Sequence, residues 1–394
     1  MTTDTMVLTI DPPAERVLGM LEGSRPGPLF FVLGGIHGNE PAGVLAARRV
    51  LAGLERSGAP LCGRFVALAG NLAGLAKDAR YLDEDLNRLW SKELIDKLRA
   101  QDPKLDSVEQ AEMRELLSVV SSHLREGPWE KVVVLDLHST SADGSPFSIM
   151  ADTIQNRRVA FALPIPVLLG LEETLEGTVL SYVSEMGHVA FCLEGGQNEL
   201  ESTIEHHEVS LWLTLIAAGS LDAADAPPDL AERRRAMAET AWSLPSVVEV
   251  AYREAITPGD QFEMIAGFNN FDLIEEGQDI ARSGPEGETP VQAPLDGIIL
   301  MPLYQGQGDD GFFVGHEVRP IWLKLSAILR RLHLQCLLPF LPGVRRHPKE
   351  AQVLLVDTHT ARWLPLQIFH LFGYRHARDH GALMVFVRRP DRFR

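Results

Sequence analysis

Cysteine is scarce in this chain of 394 residues: Cys62, Cys192 and Cys336 are the only three, and they lie far apart. An odd, widely spaced set builds neither a disulfide framework nor a zinc knuckle, and it points to reduced thiols. Long apolar runs are missing too. The longest candidate, Leu332 to Val344, contains Gln335 and two prolines, and nothing reaches the roughly 18 residues of a membrane span. The first residues, MTTDTMVLTIDPPAER, carry acids where a secretory signal needs a basic region and an apolar run. Positive charge is in deficit, with 37 Lys and Arg against 54 Asp and Glu and a net charge of −17. Nucleic acid and membrane are therefore not expected partners, since phosphates are neutralised by a basic face. An anionic substrate would need a local concentration of arginine to overcome the long-range repulsion. The expected location is the cytoplasm.

What remains is a globular composition, 45% hydrophobic and 23% charged, in a chain long enough for two or three domains. Up to about residue 220, short apolar runs alternate with helical patterns. The runs are PLFFVLG from Pro28, RFVALAG from Arg64, KVVVLDL from Lys131, FSIMA from Phe147, IPVLLG from Ile165 and HVAFCLE from His188. Several lack polar alternation, as strands buried on both faces do. Helical segments fall at Pro41–Leu54, Ser107–Leu124 and Glu201–Ala218. This pattern predicts an α/β fold, a mixed sheet flanked by helices, over residues 1–220. Residues 221–244, opening with LDAADAPPDLAERRRA, read as a linker. Residues 245–325 hold β-like pieces between Gly, Pro and Asp turns and predict a smaller, mostly-β domain. Residues 326–394 form an extra C-terminal segment with a basic, aromatic texture.

The first strand candidate runs into GGIHGNEPAG, whose glycines permit a tight turn. His37 and Glu40 stand three residues apart there, so an imidazole and a carboxylate can converge on one cation. By itself H-x-x-E recurs by chance in proteins without metal. VVVLDLHST places His138 at the carboxyl end of a buried strand, the edge where open α/β sheets assemble their sites. A single histidine there also reads as a hydrogen-bonded core residue. Together, two histidines and a carboxylate with one position left for water make the donor set of a catalytic zinc site. One zinc per chain is the expected cofactor.

Between these residues lies RYLDEDLNRLW, Arg80 to Trp90. Arg88 can clamp a carboxylate through two parallel bonds, with Asn87 beside it as a neutral donor. Arg80 can polarise a scissile carbonyl, and Asp85 can accept the free N–H of a ligand histidine. The same segment also reads as a solvated, charge-laced loop. In FCLEGGQNEL, Glu194 follows an apolar strand. A carboxylate there suits a general base, and a turn residue before two glycines would look the same.

The order H-x-x-E, R-Y-x-D-x-D-L-N-R, D-L-H-S and strand-end E-G-G resembles the succinylglutamate desuccinylase/aspartoacylase family, a branch of the zinc carboxypeptidase-like fold. The resemblance covers residues 28–200 and extends to APLDGIILMPLYQGQGDDGFF, which is similar to the family's small β-rich domain shielding the cleft. It implies His37, Glu40 and His138 as zinc ligands, Glu194 as the base that activates water, and Arg80 as the carbonyl polariser. It implies Asn87 and Arg88 as the clamp for the substrate carboxylate and Asp85 as the aspartate orienting the first histidine. The implied reaction is hydrolysis of a small anionic N-acyl amino acid. Alternatives are a zinc carboxypeptidase or amidohydrolase acting on peptides or cell-wall fragments, and a catalytically silent binding module.

The chain departs from the family in two places. Aspartoacylases have an arginine about ten residues before the catalytic glutamate, whereas TVLSYVSEMG, Thr178–Gly187, has no basic residue, which argues against N-acetylaspartate. Residues 326–394 run past the family's usual end. A homo-oligomer is allowed by the sequence without being specified by it. Gly306, Gly308 and Gly311 match G-x-G-x-x-G, yet a strand-like FFVGHEV follows instead of a helix, so a loop or hairpin is expected. His206 and His207, near a helix start, are expected to face solvent. His370, His376 and His380 read as an exposed face. No G-x-S-x-G elbow supports Ser139 or Ser145 as a nucleophile.

Overall fold

In the computed structural model, residues 11–285, 287–357, 359–360, 366–380, 383–389 and 391 are described. Four strands, Arg25–Gly34, Cys62–Ala69, Val132–Thr140 and Val189–Gln197, pair in parallel and form the heart of the main sheet. They are the apolar runs of the sequence, and Val132–Thr140 is buried at every position. Their side chains alternate between two cores. Phe30 and Val32 join Val50, Leu54, Trp212 and Leu215 of the helices Ala42–Ser57 and Glu201–Ala218 on one face. Phe31 and Leu33 join Met113 and Leu116 of the helix Val108–Arg125 on the other. Each such apolar side chain contributes about 1.5–3 kcal/mol by leaving water. Strands covered on both faces need no polar alternation, which is why the sequence shows none.

The sheet does not stop at these four strands. Beyond Val189–Gln197 come Phe147–Met150, antiparallel to it, and Val167–Leu169. Val247–Ala255 then pairs in parallel with Val167–Leu169, followed by Asp310–Glu317, Gly297–Leu300 and Leu273–Ile274. Residues 245–325 thus extend the main sheet, and they also hold a three-stranded sheet of Glu263–Met264, Asp279–Ser283 and Thr289–Gln292. The segment 221–244 contains the helix Leu230–Thr240. Of the glycines of G-x-G-x-x-G, Gly306 and Gly308 lie in the irregular segment before Asp310–Glu317, and Gly311 is already in that strand.

After the helix Pro320–Arg331, the tail forms a separate antiparallel sheet of Val344–Arg346, Val353–Asp357, Leu383–Arg388 and Tyr374–His380. Its core includes Leu354, Val356, Phe369 and Phe386. Buried charge fastens it to the main sheet. Asp152 Oδ2 accepts from Arg330 Nη2 at 2.6 Å, Arg157 Nη2 at 2.9 Å and Arg375 Nη2 at 3.2 Å. Burial opposes ionisation of Asp152, but the three guanidiniums outweigh it and hold the carboxyl well below the usual range. His370 is largely buried in this junction and not on an exposed face, 2.9 Å from Glu249; the side chain of His380 lies outside the described residues. No helix among the described residues is long and apolar enough to cross a membrane.

Candidate active site

The carboxyl ends of three parallel strands meet one glycine-rich turn. Register places His138 directly beside Glu194 on neighbouring strands. His37 and Glu40 lie in the turn after Arg25–Gly34, just before the helix Ala42–Ser57. Gly38 makes this turn possible: its N–H donates to the Arg80 carbonyl at 3.1 Å, and a Cβ there would lie 2.0 Å from the Gly74 carbonyl carbon. The Arg80–Arg88 loop is shaped in turn by the fully buried Glu109, whose carboxylate accepts from the backbone N–H groups of Leu82, Asp83 and Glu84.

His37, Glu40 and His138 are buried and offer three donor atoms within 4.8 Å of one another, a group that could hold a metal ion. Glu40 sits between the rings, Oε1 2.9 Å from His37 Nδ1 and Oε2 3.1 Å from His138 Nδ1. The far nitrogens each reach a second carboxylate. His37 Nε2 is 3.2 Å from Asp85 Oδ1, and His138 Nε2 is 2.9 Å from Asp136 Oδ2. A carboxylate only accepts, so a ring bonded to both of its partners carries a proton on each nitrogen, and an Nδ1 can give its proton up only where a cation takes that place. Acceptors that close need a positive charge between them, either an extra proton or a cation. Burial disfavours the charged forms, yet Asp136 and Glu40 raise His138 well above its ordinary value, and the two histidines hold Glu40 well below its own.

Arg80 joins the cluster, with Nη1 3.2 Å from Glu40 Oε1 and Nη2 3.4 Å from Asp85 Oδ2. Burial pushes the Glu194 carboxyl up to about 7, with His138 pulling the other way. Its Oε2 is buried and accepts no hydrogen bond among the described residues. Asn87 Oδ1 accepts from the Val179 N–H at 3.0 Å, so its carbonyl end is occupied by the protein. Arg88 donates to Asp310 Oδ2 at 2.7 Å, and Arg253 holds the other oxygen of Asp310. Asp310 and Arg253 were not visible as site residues in the sequence, because more than 200 residues separate Arg88 from Asp310. Asp136 was also missed, although it shares a strand face with His138 two positions on.

One expectation is corrected. His207 does not face solvent: it is fully buried, its Nε2 donating to the His138 carbonyl at 2.9 Å, and burial lowers it to about 3, so the ring is neutral. Its helix is apolar on nearly every side and packs between the sheet and its neighbours, so periodicity gave no buried face to read. The ring also explains the first glycine of E-G-G. A Cβ at Gly195 would lie 2.0 Å from His207 Nε2 and Cδ2.

The metal-type cluster lies where two lobes of one cleft meet. One lobe, about 620 Å³ with its open mouth, is lined by Asn87, Arg88, Asp310 and an apolar wall that includes Leu171, Leu175, Leu180, Met301 and Phe313. The other is more polar and runs past Ser139, Ser141 and Gln305. Both volumes suit a small molecule.

Comparison with known proteins agrees with this geometry. The model of the succinylglutamate desuccinylase/aspartoacylase catalytic domain matches residues 26–215. An N-acyl-aromatic-L-amino acid amidohydrolase (carboxylate-forming) of Xenopus laevis is 29% identical over 185 residues, covering 44% of this chain and 56% of that protein. A succinylglutamate desuccinylase of Burkholderia lata is 31% identical over 85 residues, 22% of this chain and 23% of that one. The chain therefore spans from about a quarter to just over half the length of these relatives. Among solved structures, a succinylglutamate desuccinylase/aspartoacylase from Rhodobacter sphaeroides superposes with a TM-score of 0.54 at 18% identity, covering 77% of this chain and 88% of that one. A succinylglutamate desuccinylase from Vibrio parahaemolyticus gives 0.52 at 17% identity, over 76% and 86%. These two share the fold.

Proposed function

Since residues 26–215 match the model of the succinylglutamate desuccinylase/aspartoacylase catalytic domain, we propose that the protein is a zinc-dependent deacylase that hydrolyses small N-acyl amino acids whose side chain is apolar or aromatic. One observation carries the metal. Glu40, Asp85 and Asp136 surround two histidines and, among the described residues, Arg80 is the one guanidinium hydrogen-bonded to these carboxylates, so the cluster is short of positive charge at the point where both Nδ1 atoms aim. His37, Glu40 and His138 would hold the ion, with Asp85 and Asp136 orienting the rings. Bound there, zinc would supply Lewis acidity toward the carbonyl and the attacking water.

The chain's own groups account for the rest. Glu194, at about 7, can take a proton from the attacking water near neutral pH and pass it to the departing amine. Arg80 aims its guanidinium into the same space and would donate to the oxygen that becomes negative. Asn87 keeps its amide N–H groups for a ligand because its oxygen holds the Val179 N–H. With Arg88 it would grip the substrate carboxylate, which must share Arg88 with Asp310. Thr178 and Leu180, in the stretch without an arginine, line the apolar lobe. That lobe suits a hydrocarbon side chain, and among the described residues its lining has no Lys or Arg beyond Arg80 and Arg88 to meet a second carboxylate. The Xenopus relative's name points the same way.

The test is a release assay over N-acetyl and N-succinyl derivatives of phenylalanine, leucine, glycine, aspartate and glutamate, before and after chelation. Turnover that needs zinc and prefers the apolar amino acids by tenfold or more supports the reading. Full turnover after metal removal, or N-acetylaspartate as the best substrate, overturns it.

A further inference from the structure

The tail's role is the open question, and its contacts lead to the cleft. Leu171 and Leu175 form part of the apolar wall. Leu171 opens a short 3-10 turn, Leu171–Glu173, and Leu175 follows it; the turn's own backbone bonds run from Glu173 N–H to the Gly170 carbonyl and from the Thr174 and Leu175 N–H groups to the Leu171 carbonyl, each at 3.0 Å. The turn is held from outside. Arg375, on the tail strand Tyr374–His380, donates from Nη1 to Glu173 Oε1 at 3.0 Å. The backbone N–H of His376 donates to Glu173 Oε2 at 3.0 Å. Both oxygens of Glu173 are thus taken by one tail strand. Arg375 also reaches Asp152 and Glu249, which belong to the main sheet region, so its own position is fixed by buried charge.

The turn has a second tether. Arg253 Nη1 donates to the Thr174 carbonyl at 3.1 Å, and the same guanidinium holds Asp310, the partner of Arg88. The tail therefore grips the wall between its two leucines, while Arg253 ties the adjoining residue to the arginine at the other end of the lobe. A side chain that merely glued the tail to the body could have landed on any surface residue. Here it lands on the residue between two that face the ligand space.

We propose that the C-terminal segment is a specificity element: through Arg375 and the His376 N–H it holds Glu173, and so sets where Leu171 and Leu175 stand in the substrate lobe. Arg375 and Glu173 are positioning residues, since neither lines the cleft. The proposal rests on the deacylase reading for its kinetic part. A wall held in place binds an apolar side chain by close contact, and a substrate without a side chain does not touch it.

The test uses the full chain with Glu173→Ala, and Glu173→Gln as the conservative variant that keeps one acceptor for the tail. The expected result for Glu173→Ala is a roughly tenfold fall in the ratio of kcat/KM for N-acetylphenylalanine over N-acetylglycine. The fall should come from KM of the phenylalanine substrate, with kcat/KM for N-acetylglycine within about twofold and zinc content unchanged. Glu173→Gln should recover part of the ratio. Equal loss on both substrates, or an unchanged ratio, overturns the proposal. Hydrogen exchange of the 170–176 amides is read in parallel and needs no substrate. It should quicken in Glu173→Ala while the 37–40 turn stays protected. If the wild-type chain hydrolyses none of the panel, the deacylase reading fails, and the exchange result alone decides whether the tail holds the wall: quicker exchange supports it, unchanged exchange refutes it.

Discussion

If the proposed zinc site is correct, replacing Asp136 should weaken metal binding without touching any of the three proposed ligands. Its Oδ2 lies 2.9 Å from His138 Nε2, and its Oδ1 accepts nothing among the described residues, so His138 is its one hydrogen-bond partner there. Both side chains are buried. Asp136→Ala would leave the Nε2–H without an acceptor in a place water does not readily reach, a cost of about 1–3 kcal/mol. It would also free the ring to turn. Converted at about 1.4 kcal/mol per tenfold, the loss is roughly 5- to 150-fold in zinc affinity, which overlaps the 10- to 100-fold typical of such outer partners. Asp136→Asn keeps an oxygen for the Nε2–H and loses only the charge, so it should fall near the lower end. The assay is zinc affinity by competition with a chelator at fixed pH, alongside circular dichroism to show the fold intact. A folded Asp136→Ala variant binding zinc within twofold of wild type would refute the idea that this carboxylate orients a ligand.

Three further outcomes are expected. Glu194→Gln should lower kcat by about 10²–10⁴ while zinc content stays at the wild-type level; wild-type turnover in that variant would remove Glu194 from the mechanism. Gly195→Ala should displace the His207 ring, because the new Cβ would lie 2.0 Å from it, and so lower both thermal stability and turnover; a variant with unchanged Tm and kcat would contradict this. Burial would raise Glu249, but His370 and Arg375 bring it down from 4.5 to about 2. A depressed carboxyl stabilises fully above its unfolded value, and that contribution, about 3 kcal/mol at ~1.36 kcal/mol per pH unit, fades as pH falls from about 4.5 toward 2. Denaturant unfolding should therefore show a shallower acid decline for Glu249→Gln than for wild type, and equal slopes would count against the assignment.

The sequence made local chemistry legible and long-range chemistry invisible. That His37, Glu40, His138 and Glu194 come together could be read because strand ends announce themselves as apolar runs that stop at a polar residue or Gly. Asp136 was readable in principle, since D-L-H places Asp and His on one side of a strand. Arg253, Asp310 and Glu173 were not. Their partners, Thr174, Arg88 and Arg375, lie 79, 222 and 202 residues away, and nothing local in a charged loop tells which distant charge it meets. His207 failed for the opposite reason: a helix buried on most sides offers no contrast between faces.

The pairing of Val247–Ala255 with Val167–Leu169 has a practical consequence. The recognisable catalytic segment ends at residue 215, yet its last strand in the sheet, Val167–Leu169, is covered on one side by chain that arrives more than 30 residues later. An expression fragment trimmed to the segment of family similarity would uncover a row of unpaired N–H and C=O groups on a buried, apolar strand, the kind of edge that recruits other chains. Such a fragment should precipitate or form soluble aggregates. The smallest piece worth purifying runs at least through Glu317, the end of the next strand outward.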